Sequence, residues 1–154
     1  MSDSVEAALA RARACLGVPY AIGGMGPDKK WIVRGKPEIE DLEPREFDCS
    51  GFSRWVLGQA GAVIPHGCVA QMAFTSPVQK EQPLDLGFAD LRGVDGLPDH
   101  VVISFDDKTV IEARGPQPGK DYGKVIFRPK SVWLAQKGWL GWRRAPSLYR
   151  GGAT

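Results

Sequence analysis

Cys49 stands in the stretch Phe47-Asp48-Cys49-Ser50-Gly51-Phe52, a short polar turn that runs directly into an amphipathic segment. Phe52, Trp55, Val56 and Ala60 follow at i, i+3, i+4 and i+8, the spacing of a helix with one buried face. Gly61 supplies a stop signal. The spacing therefore predicts Cys49 in the first turn of a buried helix. Unpaired backbone N–H groups and the positive end of the helix dipole favour a thiolate there. A free cysteine is more often a small buried hydrophobe than a catalyst. The polar Asp-Cys-Ser-Gly setting and a histidine further along the chain tip the balance toward a nucleophile.

A thiolate needs a base to move protons, and the base needs a partner that fixes its tautomer. The chain has two histidines, His66 after a proline in a loop and His100 at the start of an apolar run. His100-Val101-Val102-Ile103-Ser104-Phe105 and Thr109-Val110-Ile111-Glu112-Ala113 read as the two strands of a hairpin turning at Asp106-Asp107-Lys108. Alternation puts His100, Val102 and Ser104 on one face. Glu112 joins that face only if the turn holds an odd number of residues, such as three around Asp106. A two-residue turn would place Glu112 on the other face.

The remaining elements must hold this pair against the cysteine. An Asp3-x-x-Glu6 cap opens a helix whose stripe is Val5, Ala8, Leu9, Ala12 and Leu16, with Cys15 packing at its edge. Gly17 to Gly24 is a tight connection containing Tyr20, whose phenol can reach a polar site while its ring packs. A short helix is expected around Val69–Met72 and a strand over Pro83–Phe88. A strand at Val125–Phe127, a Trp-containing helical piece at Ser131–Gln136 and a last strand at Trp139–Arg144 complete the reading. Residues 25–46 show no period, so an inserted loop is expected there, with Trp31-Ile32-Val33 as a short strand or plug.

The 154 residues fit one domain with a proper core, and 43% hydrophobic with 25% charged residues argues against disorder. A net charge of +2 gives no reason to expect nucleic-acid binding. From Arg114 onward Asp121 is the only acidic residue, so the C-terminal third is basic and is expected to aid adsorption to an anionic polymer or membrane surface, or else to be a merely solvated face. Three cysteines exclude a disulfide scaffold, and no Cys-x-x-Cys spacing suggests zinc, so no metal or other cofactor is expected. No stretch is long and apolar enough to span a bilayer and no signal pattern opens the chain, so if the substrate lies outside the cytoplasm something other than a standard signal is expected to deliver the protein.

Several motifs in order resemble the NlpC/P60 family of cell-wall cysteine peptidases, within the papain-like fold. Leu16 to Gly24 resembles the family's Gly-x-Pro-Tyr-x-x-Gly-Gly approach, and Phe47 to Phe52 is similar to its nucleophile motif at every position. Pro65 to Gln71 resembles a Pro-Arg-(x)4-Gln segment with His66 in place of arginine. Pro83 to Leu86 resembles a Pro-Gly-Asp-Leu strand with Leu84 in place of glycine. Asp99 to Ile103 resembles the histidine strand, Val110 to Ala113 the strand after it and Gly141 to Arg144 the closing strand. The resemblance implies an α+β fold with the nucleophile helix packed on an antiparallel sheet. It implies Cys49 as nucleophile and His100 as base, with Glu112 as orienter where the family commonly has a second histidine. The Cys49 N–H and the Tyr20 hydroxyl become candidates for stabilising an oxyanion. Asp48, Ser50 and Gln71 match positions that line the site or contact substrate.

The implied substrate is a peptidoglycan stem peptide, commonly cut between D-γ-glutamyl and a diamino acid. Lacking an appended wall-binding repeat, the chain resembles phage lysins, tail hydrolases or secreted antibacterial effectors. Two rival classes stay open: a non-catalytic wall-binding module on the same fold, and a papain-like thiol acyltransferase or esterase.

Overall fold

The computed structural model describes residues 3–24, 46–93 and 95–149. The insertion expected at 25–46, with its Trp31-Ile32-Val33 piece, lies outside the described residues except for the exposed Glu46. Helix α1 (Asp3–Ala14) buries Val5, Ala8, Leu9 and Ala12, as the stripe requires. Leu16 departs from it at 41% exposure, and Cys15 takes the inward place at 1%. The helix ends at Ala14, so helical spacing no longer governs which side chain faces in.

Helix α2 (Cys49–Gln59) buries Phe52, Trp55, Val56 and Leu57. Phe47, just ahead of the cap, packs edge-on against Phe52 with ring centroids 5.1 Å apart, a hydrophobic staple that sets the angle at which the chain enters the helix. Gly61 takes the left-handed conformation two residues after the helix. Helix α3 (Cys68–Phe74) follows, one residue longer at its start and two at its end than the sequence suggests.

Six strands form one antiparallel sheet in the order β1-β6-β2-β3-β4-β5: β1 (Ser76–Pro77), β2 (Leu86–Ala89), β3 (His100–Ser104), β4 (Thr109–Arg114), β5 (Lys124–Pro129) and β6 (Trp139–Arg144). Strand β1 was not expected, because two residues carry no readable period. Helix α4 (Lys130–Leu134) lies between β5 and β6. All five residues of β3 are buried. Val101 and Ile103 join the core under α1 and α2, while Val102 joins Val110, Trp133 and Trp142 on the opposite face. Helix packing on both faces explains why β3 reads as a continuous apolar run.

The β3–β4 hairpin pairs Ile103 with Ile111 and Ser104 with Val110. Its loop is Asp106-Asp107-Lys108, closed by Phe105 N–H donating to Thr109 O at 3.0 Å. That odd loop puts Glu112 on the face of His100.

The basic C-terminal third is less of a free positive face than its composition suggests. Arg144 donates twice to the fully buried Asp85, at 2.9 and 2.8 Å. Lys130 and Arg114 are only 6% and 8% exposed. Arg114 and Arg128 both lie over the rings of Tyr122 and Trp133. These cations are engaged in packing and pairing, so little of the expected attraction for anionic polymer rests on them. Among the described residues no helix is long and apolar enough to cross a membrane.

Candidate active site

Cys49 is the first residue of α2, and the chain before it is arranged to make that helix start there. Asp48 is the N-cap: its Oδ1 accepts from Gly51 N–H at 2.6 Å and its Oδ2 from Gly23 N–H at 3.2 Å. Asp48 N–H donates to Gly24 O at 2.7 Å, and Phe47 exchanges backbone hydrogen bonds with Pro19 and Ala21. The loop from Pro19 to Gly24 is thereby laced across the helix start. A Cβ on Gly51 would overlap the Gly24 carbonyl, which is why the motif needs glycine there. The same lacing brings Tyr20 to the site. Burial, then the charges of Cys49, Asp48 and Cys68, push its phenol up to about 12, with Arg114 pulling the other way.

His100 opens β3 and is 5% exposed. Its Nε2 lies 2.9 Å from Oε1 of Glu112, which is fully buried. The other carboxylate oxygen, Oε2, accepts from Trp133 Nε1 at 2.7 Å, and the Trp133 ring stacks on the imidazole with centroids 5.0 Å apart. An ionised carboxylate only accepts, so Nε2 carries the proton and Nδ1 is the nitrogen left for Cys49. Cys49 and His100 are close enough for each to shift the other's proton affinity. The Cys49 thiol is held well below the ordinary range, chiefly by the hydrogen bond from Cys68 and then by His100, against the opposing effects of burial and the Asp48 charge. Burial works against the imidazolium, yet the Cys49 thiolate and Glu112 outweigh it and raise His100 to about 9. The two shifts together favour a thiolate–imidazolium pair, with the Glu112 side chain behind it.

Three of the expected site residues have polar partners inside the protein. Gln71 is fully buried and its amide is spent: Nε2 donates to Ser50 O and Pro65 O at 2.8 and 2.9 Å, and Oε1 accepts from Ser53 at 2.6 Å. It braces α3 against α2, and no substrate can reach it. Ser50 is 4% exposed with its hydroxyl turned to Asp48 at 3.3 Å. Asp48 caps the helix and also meets His66 Nε2 at 3.0 Å, so the histidine in place of arginine still faces this carboxylate. In all three cases polar groups inside the protein claim the side chain first.

Two participants escape a linear reading. Trp133 holds Glu112 and His100 on the face of the sheet they share, away from the core under α1 and α2, and nothing in its local sequence marks it. The Cys68 sulfur lies 3.5 Å from that of Cys49. The signal for Cys68 is its spacing: it precedes Gln71 by three residues on a short helix, which puts both on the face toward α2. Among the described residues no group of three His, Cys, Asp or Glu could hold a metal ion.

A helix-borne cysteine facing a histidine on an antiparallel sheet defines the α+β, papain-like class. The P60 domain of antigen MAP1204 from M. avium subspecies paratuberculosis shares this fold, with a TM-score of 0.64 at 24% identity, over 92% of this chain and 93% of that one. The peptidoglycan hydrolase RipB of Mycobacterium tuberculosis aligns with a TM-score of 0.62 at 27% identity, covering 91% of this chain and 63% of RipB. In sequence, the probable endopeptidase p60 of Listeria seeligeri is 36% identical over 84 residues, 53% of this chain. The chain spans only 13% of that protein's length. The sequence profile of the NlpC/P60 family matches residues 17–125. The chain belongs to the NlpC/P60 family.

Proposed function

We propose that this protein is a cysteine hydrolase that cleaves an amide bond in peptidoglycan stem peptides through a thioester. The observation that carries the reading is the chain of contacts from Cys49 through His100 to the fully buried Glu112, with the imidazole 2.9 Å from the carboxylate. The Cys49 sulfur attacks the amide carbonyl. Its own N–H, at the first position of a helix and so without an intrahelical acceptor, is one donor for the developing oxyanion, and the Tyr20 hydroxyl is the second candidate. His100 gives its proton to the leaving amine and then takes one from the water that opens the thioester. Glu112 keeps the ring in the tautomer this requires.

The family membership and the RipB and p60 relatives favour a wall peptide as substrate. Within that class we assign the bond between D-γ-glutamyl and a diamino acid. The test is mass spectrometry of purified sacculi digested with wild type and with Cys49→Ala. The expected result is new fragments ending in the diamino acid's free amine, in the wild-type digest alone. Identical digests, with a folded wild-type protein, would remove the proposal. Fragments with another new terminus would retain the hydrolase and move the bond.

A further inference from the structure

Cys68 stands beside Cys49, and the hydrolytic cycle does not use it. Its sulfur is 3.5 Å from that of Cys49, and each cysteine is the first residue of its helix. The two helix starts are held near one another by Gln71, whose amide bonds Ser50 O on one side and Pro65 O on the other. A disulfide needs its sulfurs about 2.05 Å apart, so roughly 1.5 Å of approach is required. Rotation of the two cysteine side chains contributes to such a movement. Gly67, at a φ of 103°, lets the start of α3 supply the rest. Access is adequate, since Cys68 is half-buried while Cys49 is 8% exposed. Cys15 is a built-in contrast: it is 1% exposed, and burial pushes its thiol up to about 12.

We propose that Cys49 and Cys68 form a reversible modification site, closing to a disulfide when the Cys49 thiolate meets a peroxide. In the first step the Cys49 sulfur attacks one peroxide oxygen. An S–O bond forms, the O–O bond breaks, the sulfur loses two electrons, and the second oxygen leaves as hydroxide or alkoxide. In the second step the Cys68 sulfur attacks the sulfenic sulfur. The S–S bond forms, the S–O bond breaks, and the departing hydroxide leaves as water with the Cys68 proton. The electrostatics favour this order. The Cys68 thiol is held up first by its hydrogen bond to the Cys49 thiolate and then by burial. Conversion of Cys49 to an uncharged sulfenic acid removes that first restraint just when Cys68 must act. Two molecules of a small thiol restore both cysteines and are themselves joined as a disulfide. The bridge would occupy the sulfur that the hydrolase needs and shield it from irreversible oxidation. That consequence rests on the proposed function, but formation of the bridge does not.

The test treats the full chain with hydrogen peroxide, maps it by mass spectrometry without reduction, and assays sacculus hydrolysis before and after dithiothreitol. The expected result is one cross-linked peptide pair joining Cys49 to Cys68, with activity lost on oxidation and regained on reduction. In Cys68→Ser, and in Cys68→Ala as a second variant, Cys49 is expected as sulfinic or sulfonic acid. Activity recovered by reduction, relative to each untreated variant, should be at least about tenfold lower than in wild type. Sulfinic acid on Cys49 of the wild type, or equal recovery in wild type and the variants, overturns the proposal. A clean cross-link in a protein that never digests sacculi supports the modification site and removes the hydrolase reading. Hydrolysis without any cross-link does the reverse.

Discussion

At the residue scale the ion pair fixes what pH should do. The reactive form needs Cys49 deprotonated and His100 protonated, so it exists above the lowered Cys49 value and below about 9. The profile of kcat/KM should be a bell whose alkaline limb falls near 9. Glu112→Gln keeps the shape and removes the charge that helps hold the proton on His100. Its alkaline limb should shift to lower pH and kcat should fall by about 10²–10⁴, the range for losing a group that orients the base. An unshifted limb would make Glu112 an ordinary core carboxylate. Cys68→Ala removes the largest influence lowering Cys49, so its acidic limb should move to higher pH. The readout is the pH dependence of iodoacetamide labelling at Cys49, which needs no substrate.

At the scale of elements, the site depends on where α2 begins. Asp48→Ala removes the cap and should cost about 1 kcal/mol, whereas Asp48→Asn should retain most of it. Urea denaturation separates the two. A second element-level test lies at Leu84, which replaces the glycine of the family motif and adopts a φ of 74° while fully buried. Two terms oppose one another in Leu84→Gly. Relief of the left-handed backbone returns roughly 1–2 kcal/mol, and loss of the buried side chain costs about 2–5 kcal/mol. The cavity should win, so the variant is expected to be less stable by urea melts. A gain in stability would mean that strain outweighs packing there.

Across the whole molecule, the bidentate Arg144–Asp85 pair ties the closing strand β6 to the turn that leads into β2. Arg144→Met strands a buried carboxylate and should destabilise the protein by about 3–5 kcal/mol, seen as an earlier urea midpoint. This pair also shows where reading along the chain ends. Composition counts Arg144 as surface charge, but only the sheet brings it to Asp85, 59 positions away in sequence. The helix that begins at Cys49 was legible because its signals are local: the stripe from Phe52 to Ala60 and the stop at Gly61 all lie along the helix or just past its end. The hairpin was legible for the same reason, and its three-residue loop decided that His100 and Glu112 share a face. The sequence alone therefore determined the helix that carries the thiol and the strand pair that carries His100 and Glu112. Tertiary structure alone decided that Trp133 clamps those two, that Gln71 is sealed inside, and that Cys68 touches the reactive sulfur. The physical reason is that local hydrogen bonds and periodicity are written over a few residues. Which polar group satisfies which is settled only when distant segments are packed together and cut off from water.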